Sequence, residues 1–520
     1  MRPICSRPAT RGLALLALLS LVGYPLSAQE GAASAAVAAP PPTPPQEQPE
    51  VLNRGPVHEA FAEPVTVQLQ AGLVVPVKPP PNIQEVPPPD RPEGQQYVWI
   101  PGYWGWDADK RSFIWVSACW RVAPPNMSWV PGYWAPVSEG WEWVSGFWAP
   151  AAAREIEYLP TPPPDDNVEP PGPAPSADMI WVRPCEYWSH GKYILRPGYW
   201  LAAQPDWVWV PSHYVMTPRG CVFAEGHWDY PLERRGVLFA PVSIPASVYS
   251  QPDYTYSPSI VIDDELLQDC LFAYPSYCHY FFGDYYDDAY LSFGIYPWFE
   301  CRRYGTWYDP TFENDCWRHR RNEPRWEEHE RERYEHRRAD TSLRPSRTFR
   351  EQQARLSALP LAQRGALQVT QPLASVAASR KSPIKFEQIS TEARQAISKQ
   401  ATAVHSYRDE RTRWESASTS PRRTQPSAPH TATAAPQIER QPTIQPGREY
   451  RSTGNAPVAS REPTFVAPRQ TYMRQSERVQ IPSSPIVGRS SGSGGTRSSP
   501  TPSRSSSGYR DGSGTDGRRR

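Results

Sequence analysis

The strongest constraint on this chain is a six-residue run that begins and ends in tryptophan and recurs at near-constant spacing. It reads Trp99-Ile-Pro-Gly-Tyr-Trp104, Trp115-Val-Ser-Ala-Cys-Trp120, Trp129-Val-Pro-Gly-Tyr-Trp134 and Trp143-Val-Ser-Gly-Phe-Trp148, with starts 16, 14 and 14 residues apart. A more worn set follows: Trp181 to Trp188, read with two extra residues, then Leu195-Arg-Pro-Gly-Tyr-Trp200, Trp209-Val-Pro-Ser-His-Tyr214 and Phe223-Ala-Glu-Gly-His-Trp228. Sixteen of the 21 tryptophans fall in these two stretches, so the repeat sets the architecture before any single motif does.

A period of 14 residues leaves about eight extended residues and about six for a connection, which suits antiparallel strands. Turn formers fill the intervals at 107–110, 124–126, 138–140, 190–192, 204–206 and 218–220. The fold class expected is therefore mainly β: two four-stranded antiparallel meanders over 97–148 and 179–230, followed by charged α-helices and long disordered segments. Pro101-Gly102 is rejected as a hairpin turn, because Ser117-Ala118 at the same place in the next copy cannot supply the positive φ values that primed turns need. A Pro-Gly pair inside a strand predicts a bulge instead, which brings Trp99 and Trp104 to one face. Rows of rings on that face form an aromatic core. The alternative is an exposed ligand platform for sugars, made of Trp99, Trp104, Trp115, Trp120, Trp129, Trp134, Trp143 and Trp148.

These motifs resemble the WXXGXW (YXWGXW) repeat family of BcpO-related bacterial exported proteins. The resemblance implies an exported envelope protein behind a Pro-rich leader, and it carries over no activity. Cys119, the expansion near Pro184 and Ser212 in place of glycine depart from the family pattern.

The beginning of the chain agrees with export. Arg2, Arg7 and Arg11 precede the apolar run 13–22, and Leu26-Ser-Ala28 follows, so residues 1–28 read as a secretory signal peptide. The apolar run is too short to span a bilayer, Cys5 precedes it so that no lipid anchor is indicated, and no transmembrane span is expected after signal removal. The expected location is periplasm, outer surface or secreted. A formal net charge of +1 gives no global attraction to nucleic acid, and no specific nucleic-acid partner is expected.

Proline, 64 residues in all, divides the rest. Residues 29–95 read as a Pro-rich disordered leader with one short hairpin at 65–77. Residues 96–150 hold the first repeat block, 151–178 a Pro-rich linker that leaves the blocks independent, and 179–230 the second block. Residues 231–317 form a Tyr/Phe-rich β region, 318–416 a charged helical region, and 417–520 a disordered Ser/Pro/Arg-rich tail suited to anionic polymers. From Phe386 to Trp414 a semi-apolar stripe with spacings of 3 and 4 (Ile389, Ala393, Ala396, Gln400, Ala403, Tyr407, Glu410) predicts a helix 386–414. That stripe either rests on the protein or serves self-association.

Candidate chemistry is sparse. Asp284, Asp287 and Asp288 present clustered oxygens for Ca²⁺ or a solvated turn. Cys270, Cys278, Cys301 and Cys316 admit three pairings, or a zinc site with His279 or His319, while Cys185 and Cys221 are expected not to pair with each other. His329-Glu330 opens like a zinc-protease helix, but Arg333 stands where the second histidine belongs. No catalytic, cofactor or metal residue is therefore assigned. The expected function is a non-catalytic structural or interaction protein of the envelope, with an envelope polymer or protein as partner. A glycan-binding module is the alternative, and a hydrolase the remaining reading.

Overall fold

The computed structural model describes residues 48–416, except 67, 95, 154, 165–169, 306, 320, 321 and 381, together with 477–480. The signal segment, residues 29–47 and all but four residues of the expected tail lie outside the described residues. The described chain is mainly β, made of many small antiparallel sheets with helices gathered toward its C-terminal part.

Within the blocks the strands pair differently from a meander. Tyr97–Ile100 pairs with Cys119–Val122, and between them Tyr103–Asp107 pairs with Ser112–Val116. Two repeats thus fold onto each other as one long hairpin, and the second and third copies do not pair. The same nesting occurs in 127–150, 179–202 and 208–229. In every hairpin the ladder skips two residues on each arm: 101–102 opposite 117–118, 131–132 opposite 145–146, 183–184 opposite 197–198, and 211–212 opposite 225–226. The expected bulge is therefore a symmetric break, because a bulge adds a residue to one strand only.

Register explains the motif. The first tryptophan of one copy faces the last of its partner: Trp99 with Trp120, Trp104 with Trp115, Trp129 with Trp148, and Trp134 with Trp143. These ring centroids lie 5.0, 5.3, 5.2 and 5.2 Å apart in edge-to-face geometry. Trp181 with Trp200 and Trp209 with Trp228 repeat it at 5.2 Å. In the third hairpin Glu186 faces Leu195, so the copy at Trp181 has no insertion; its second ring position is simply Glu186.

The motif glycines serve these rings. A Cβ on Gly146 would sit 2.3 Å from the ring of Trp129, on Gly198 2.3 Å from Trp181, on Gly132 2.6 Å from Trp143, and on Gly226 2.9 Å from Trp209. Close approach, not positive φ, is what requires glycine there, since none of the four has a left-handed backbone. Ser212 replaces glycine where the facing residue is the smaller Phe223, and Pro184 does so where it is Leu195.

The turns fall in the expected intervals. Asp107 accepts from the backbone N–H of Asp109 and Lys110, and Thr217 from those of Arg219 and Gly220. Asn126 and His190 take positive φ.

Three domain expectations are corrected. Residues 48–66, read as disordered leader, are folded: Glu50–Val51 pairs with Val242–Ser243 and Gly55–Pro56 with His279–Phe282, with Asn53, Ala60 and Phe61 fully buried. Apolar Phe61, Val57 and Leu52 offset the ordering entropy that the surrounding prolines suggested would win. Nor do Val65–Thr66 and Val74–Val75 form a hairpin: the first adds to Trp307–Tyr308 and the second to the edge strand Gly140–Val144. The two blocks also pack together. Ile156 and Tyr158 of the linker join Val130 and Phe147 to Val215 and Val222, and the buried Arg121 of the first block bonds Asp229 of the second at 2.6 and 2.7 Å. Four residues of the expected tail, Glu477–Gln480, pair with Glu155–Tyr158.

The long helix is Thr391–Ser416, and Phe386–Gln388 before it is a strand paired with Asp90–Pro92. Its buried face is Ser398, Ala401, Val404, His405, Arg408, Arg411 and Glu415, while Ala396, Gln400, Ala403, Glu410 and Trp414 of the expected stripe face outward. Arginine and glutamate point inward because they meet polar backbone that the broken hairpins expose. No helix among the described residues is long and apolar enough to cross a membrane.

Gly146→Ala should destabilise the protein by about 1–3 kcal/mol through overpacking against Trp129. Gly172→Ala, where a Cβ meets nothing within 4 Å, should stay within about 0.5 kcal/mol of wild type in the same urea titration. Equal midpoints for the two variants would refute the ring-clearance role of the motif glycine.

Candidate functional site

Each break in a hairpin leaves N–H and C=O groups without a ladder partner, and in the first two hairpins these lie inside the protein, where such groups are costly unless satisfied. In the first hairpin Glu85 satisfies both arms: its carboxylate accepts from Gly102 N at 2.7 Å and Ala118 N at 3.1 Å. His58 Nε2 donates to Pro101 O at 3.2 Å, since its Nδ1 already accepts from Ala60 N, and Arg408 donates to Gly102 O at 3.4 Å. In the second hairpin Arg411 donates to Pro131 O at 2.9 Å, and Trp143 Nε1 donates to Glu59 at 3.2 Å. Glu415 pairs with Arg411 at 2.6 Å and accepts from the hydroxyls of Tyr158 at 2.7 Å and of Tyr133. In the fourth, Ser212 accepts from Gly226 N at 3.0 Å.

Burial controls the charges of this layer. It pushes the carboxyls of Glu85 and Glu59 up to about 7, and holds the imidazoles of His58 and His279 down to about 3. His405 is held at about 3 by burial and by the neighbouring Arg408, whose own value burial lowers to about 10. His405 is thus neutral and Arg408 still charged at neutral pH.

Over this layer, between the long helix and the first two hairpins, opens a cleft of about 750 Å³. Trp134 and half-buried Trp141 form part of its floor, Pro79, Pro80 and Pro81 one wall, and the helix residues His405, Arg408, Asp409 and Thr412 the other. Trp104 Nε1 fastens the proline wall through Pro81 O at 2.8 Å. Arg408 Nη1 lies 3.3 Å from His405 Nδ1, which accepts, so the proton of His405 sits on Nε2. That Nε2 and the Nε of Arg408 have no hydrogen-bond partner among the described residues. The cleft therefore offers donors and a positive charge beside aromatic surface, a binding chemistry, with Asp409 as its only carboxylate.

The tryptophans expected as a possible platform do not present their faces. Trp99, Trp104, Trp115, Trp120, Trp129, Trp134, Trp143 and Trp148 are each 0–7% exposed. Their edge-to-face pairing makes them core. In the second block Trp181, Trp188 and Trp200 are half-buried.

The remaining candidates are dispersed. Arg344 and Arg347 hold Asp284, Arg344 holds Asp287, and Arg338 holds Asp288, so cations already occupy the acidic turn. His279 receives the Tyr103 hydroxyl at 2.7 Å and His319 stacks on Trp326, far apart in role. Among the described residues no group of three or more His, Cys, Asp or Glu is placed to hold a metal. Cys119, Cys221, Cys270, Cys278, Cys301 and Cys316 are free thiols, so Cys221 is not bridged to Cys185. Burial pushes the thiols of Cys270 and Cys278 up to about 12, which suppresses the nucleophilic thiolate.

Sequence reasoning missed His58, Glu59, Glu85, Arg408, Arg411 and Glu415. One signal for the last three was available: Ser398, Ala401, His405, Arg408, Arg411 and Glu415 recur at spacings of 3 and 4 and share one helix face.

The raised carboxyl of Glu85 gives a pH prediction. Its folded-state value near 7 lies above the ordinary 4.5, so the fold binds its proton more tightly than the unfolded chain does. That contribution is present below pH 4.5 and is lost as pH rises through about 7. Relative to Glu85→Gln, the wild type should lose up to about 3 kcal/mol across that interval, measured by urea unfolding at successive pH values. A difference that stays flat, or grows with pH, would exclude a buried proton-sharing role for Glu85.

Comparison of the chain with protein-family models, with curated proteins and with solved structures gave no match, so the site must be interpreted from its own chemistry.

Proposed function

We propose that the chain is an exported, non-catalytic structural or interaction protein of the bacterial cell envelope. The observation that supports this most is the use of the repeat's own chemistry: its rings are core, and the buried Glu85, Arg411 and Glu415 bond the broken backbone or its phenols. What is left for contact is the outer surface, including the solvent-facing side of the helix 391–416, where Ala396, Ala403 and 40%-exposed Trp414 offer a site for self-association. The partner in this reading is an envelope polymer or envelope protein, met in the periplasm, at the outer surface or outside the cell after removal of residues 1–28.

A second reading, a glycan-binding module, draws on one observation. The third hairpin carries Glu186 opposite Leu195 in place of a tryptophan pair and leaves Trp181, Trp188 and Trp200 half-buried, so part of the repeat's own ring surface, of a kind suited to sugars, is uncovered on the second block. A hydrolase gains no support from the cleft, where carboxylates do not converge.

Incubation of the mature protein with soluble and insoluble envelope fractions should give retention on the insoluble material without release of soluble fragments. Absence from every fraction, or turnover of polymer, would exclude the structural reading. Trp134→Ala should cost about 3–5 kcal/mol in thermal or urea unfolding, as for a core ring. An unchanged melt with lost polysaccharide retention would instead favour the glycan-binding reading.

A further inference from the structure

The cleft beside the long helix contains a guanidinium that, among the described residues, no carboxylate contacts directly: Asp409, Glu59 and Glu85 act on Arg408 only from a distance, and burial pushes the last two up to about 7. Arg408 is 6% exposed and makes no ion pair among the described residues, although Arg411, one turn along the same helix, is paired with Glu415 at 2.6 Å. A buried guanidinium is expensive to leave unpaired, and its Nη1 meets only the Gly102 carbonyl and the ring nitrogen of His405. Its Nε, and the Nε2–H of His405 three residues away on the same face, both lack an acceptor. Lys78 stands exposed on the rim, its ammonium 5.9 Å from the centre of the Trp141 ring. The cleft thus has two cations, Lys78 and Arg408, against one anion, Asp409, with His405 held neutral by its burial.

We propose that this cleft binds a carboxylate-bearing sugar, a uronate in chemical class. Both nitrogens are closed to water in this conformation, so the side chains of Arg408 and His405 turn outward on binding; the carboxylate then supplies the two missing acceptors, one for Arg408 Nε–H and one for His405 Nε2–H, and a negative charge between Arg408 and Lys78. The pyranose ring then faces the half-buried Trp141, where its C–H face meets apolar ring surface. Its hydroxyls reach Asp409, Ser406 and Thr412 on the rim, side chains that an aromatic acid would leave unused. Asp409 also limits the ligand to one carboxylate near the helix, because a second would meet it at close range. The volume of about 750 Å³ accommodates one or two sugar residues. This inference is separate from the half-buried rings of the second block, and it holds or fails whether or not the protein is retained by envelope material.

Isothermal titration of the mature full chain with methyl β-D-glucuronide, methyl β-D-glucoside and acetate tests it, with tryptophan fluorescence as a second readout. The glucuronide should bind and change the fluorescence, and the other two should bind at least tenfold more weakly, the value of one lost charged or stacking contact. Lys78→Glu, at an exposed position whose melt should not change, should weaken glucuronide binding about tenfold. Arg408→Gln should abolish it, with the helical circular dichroism checked for retained fold. No glucuronide response, equal response to glucoside or acetate, or unchanged affinity in Lys78→Glu would each overturn the proposal.

Discussion

The structure depends on one contact made again and again: two tryptophan rings meeting edge to face across paired strands, at centroid separations of 5.0–5.3 Å. Each pair contributes roughly 0.5–1.5 kcal/mol beyond the burial of its area. The ring must also have somewhere to lie, and the glycine of the facing copy provides it. Glycine, tryptophan and the skipped ladder positions therefore form one device and mostly travel together through the sequence, with Ala118 opposite the Trp99 copy as the exception. Where the facing ring shrinks to Phe223 or Leu195, the glycine is gone as well, replaced by Ser212 and Pro184.

The device has a consequence for the rest of the chain. The symmetric breaks of the first two hairpins put amide and carbonyl groups where water cannot reach, and those hairpins cannot satisfy them by themselves. Partners come from far away in sequence: His58, Glu59 and Glu85 from before the first block, Arg408 and Arg411 from the helix that follows everything else. The broken hairpins thus specify which segments must fold over them. A charged helix and a Pro-rich leader, each too polar to build a core alone, become ordered because they complete the hydrogen bonding of the repeats.

What was legible in the sequence follows the same division. The strand period, the turn intervals and the exclusion of Pro101-Gly102 as a hairpin turn rest on local chemistry, and all three match the structure. Pairing partners are not local. A meander and a set of separate hairpins use the same strands and turns, and they differ only in whether the second and third copies pair, which nothing local in the sequence decides. The helix face was misassigned because an apolar stripe is a poor guide when the surface to be covered is exposed backbone. Arg411 and Glu415 bury better against Pro131 and Tyr133 than Ala396 or Trp414 would. Residues 48–66 were hidden by their prolines, although Phe61 and Val57 among them enter the main core.

These physical demands also decide where a function can reside. A ring that holds a hairpin together cannot give its face to a ligand without weakening the fold, so the eight paired tryptophans of the first block are unavailable for recognition, whereas half-buried Trp141 of the same block pairs with no other tryptophan across the hairpin. The polar side chains above them divide into two kinds. Glu85 and Arg411 bond the broken backbone directly and Glu415 holds Arg411 in place, so moving any of them would disturb a backbone break. His405 and Arg408 are held in place by the same helix, yet each keeps one donor unmet beside an open cleft. Satisfied polar groups in a core explain stability; donors left over just beneath an open cleft are what a ligand's acceptors can satisfy. The helix 391–416 thus does both within a single turn, closing the second hairpin with Arg411 and placing Arg408, with one donor unmet, in the wall of the cleft above the first.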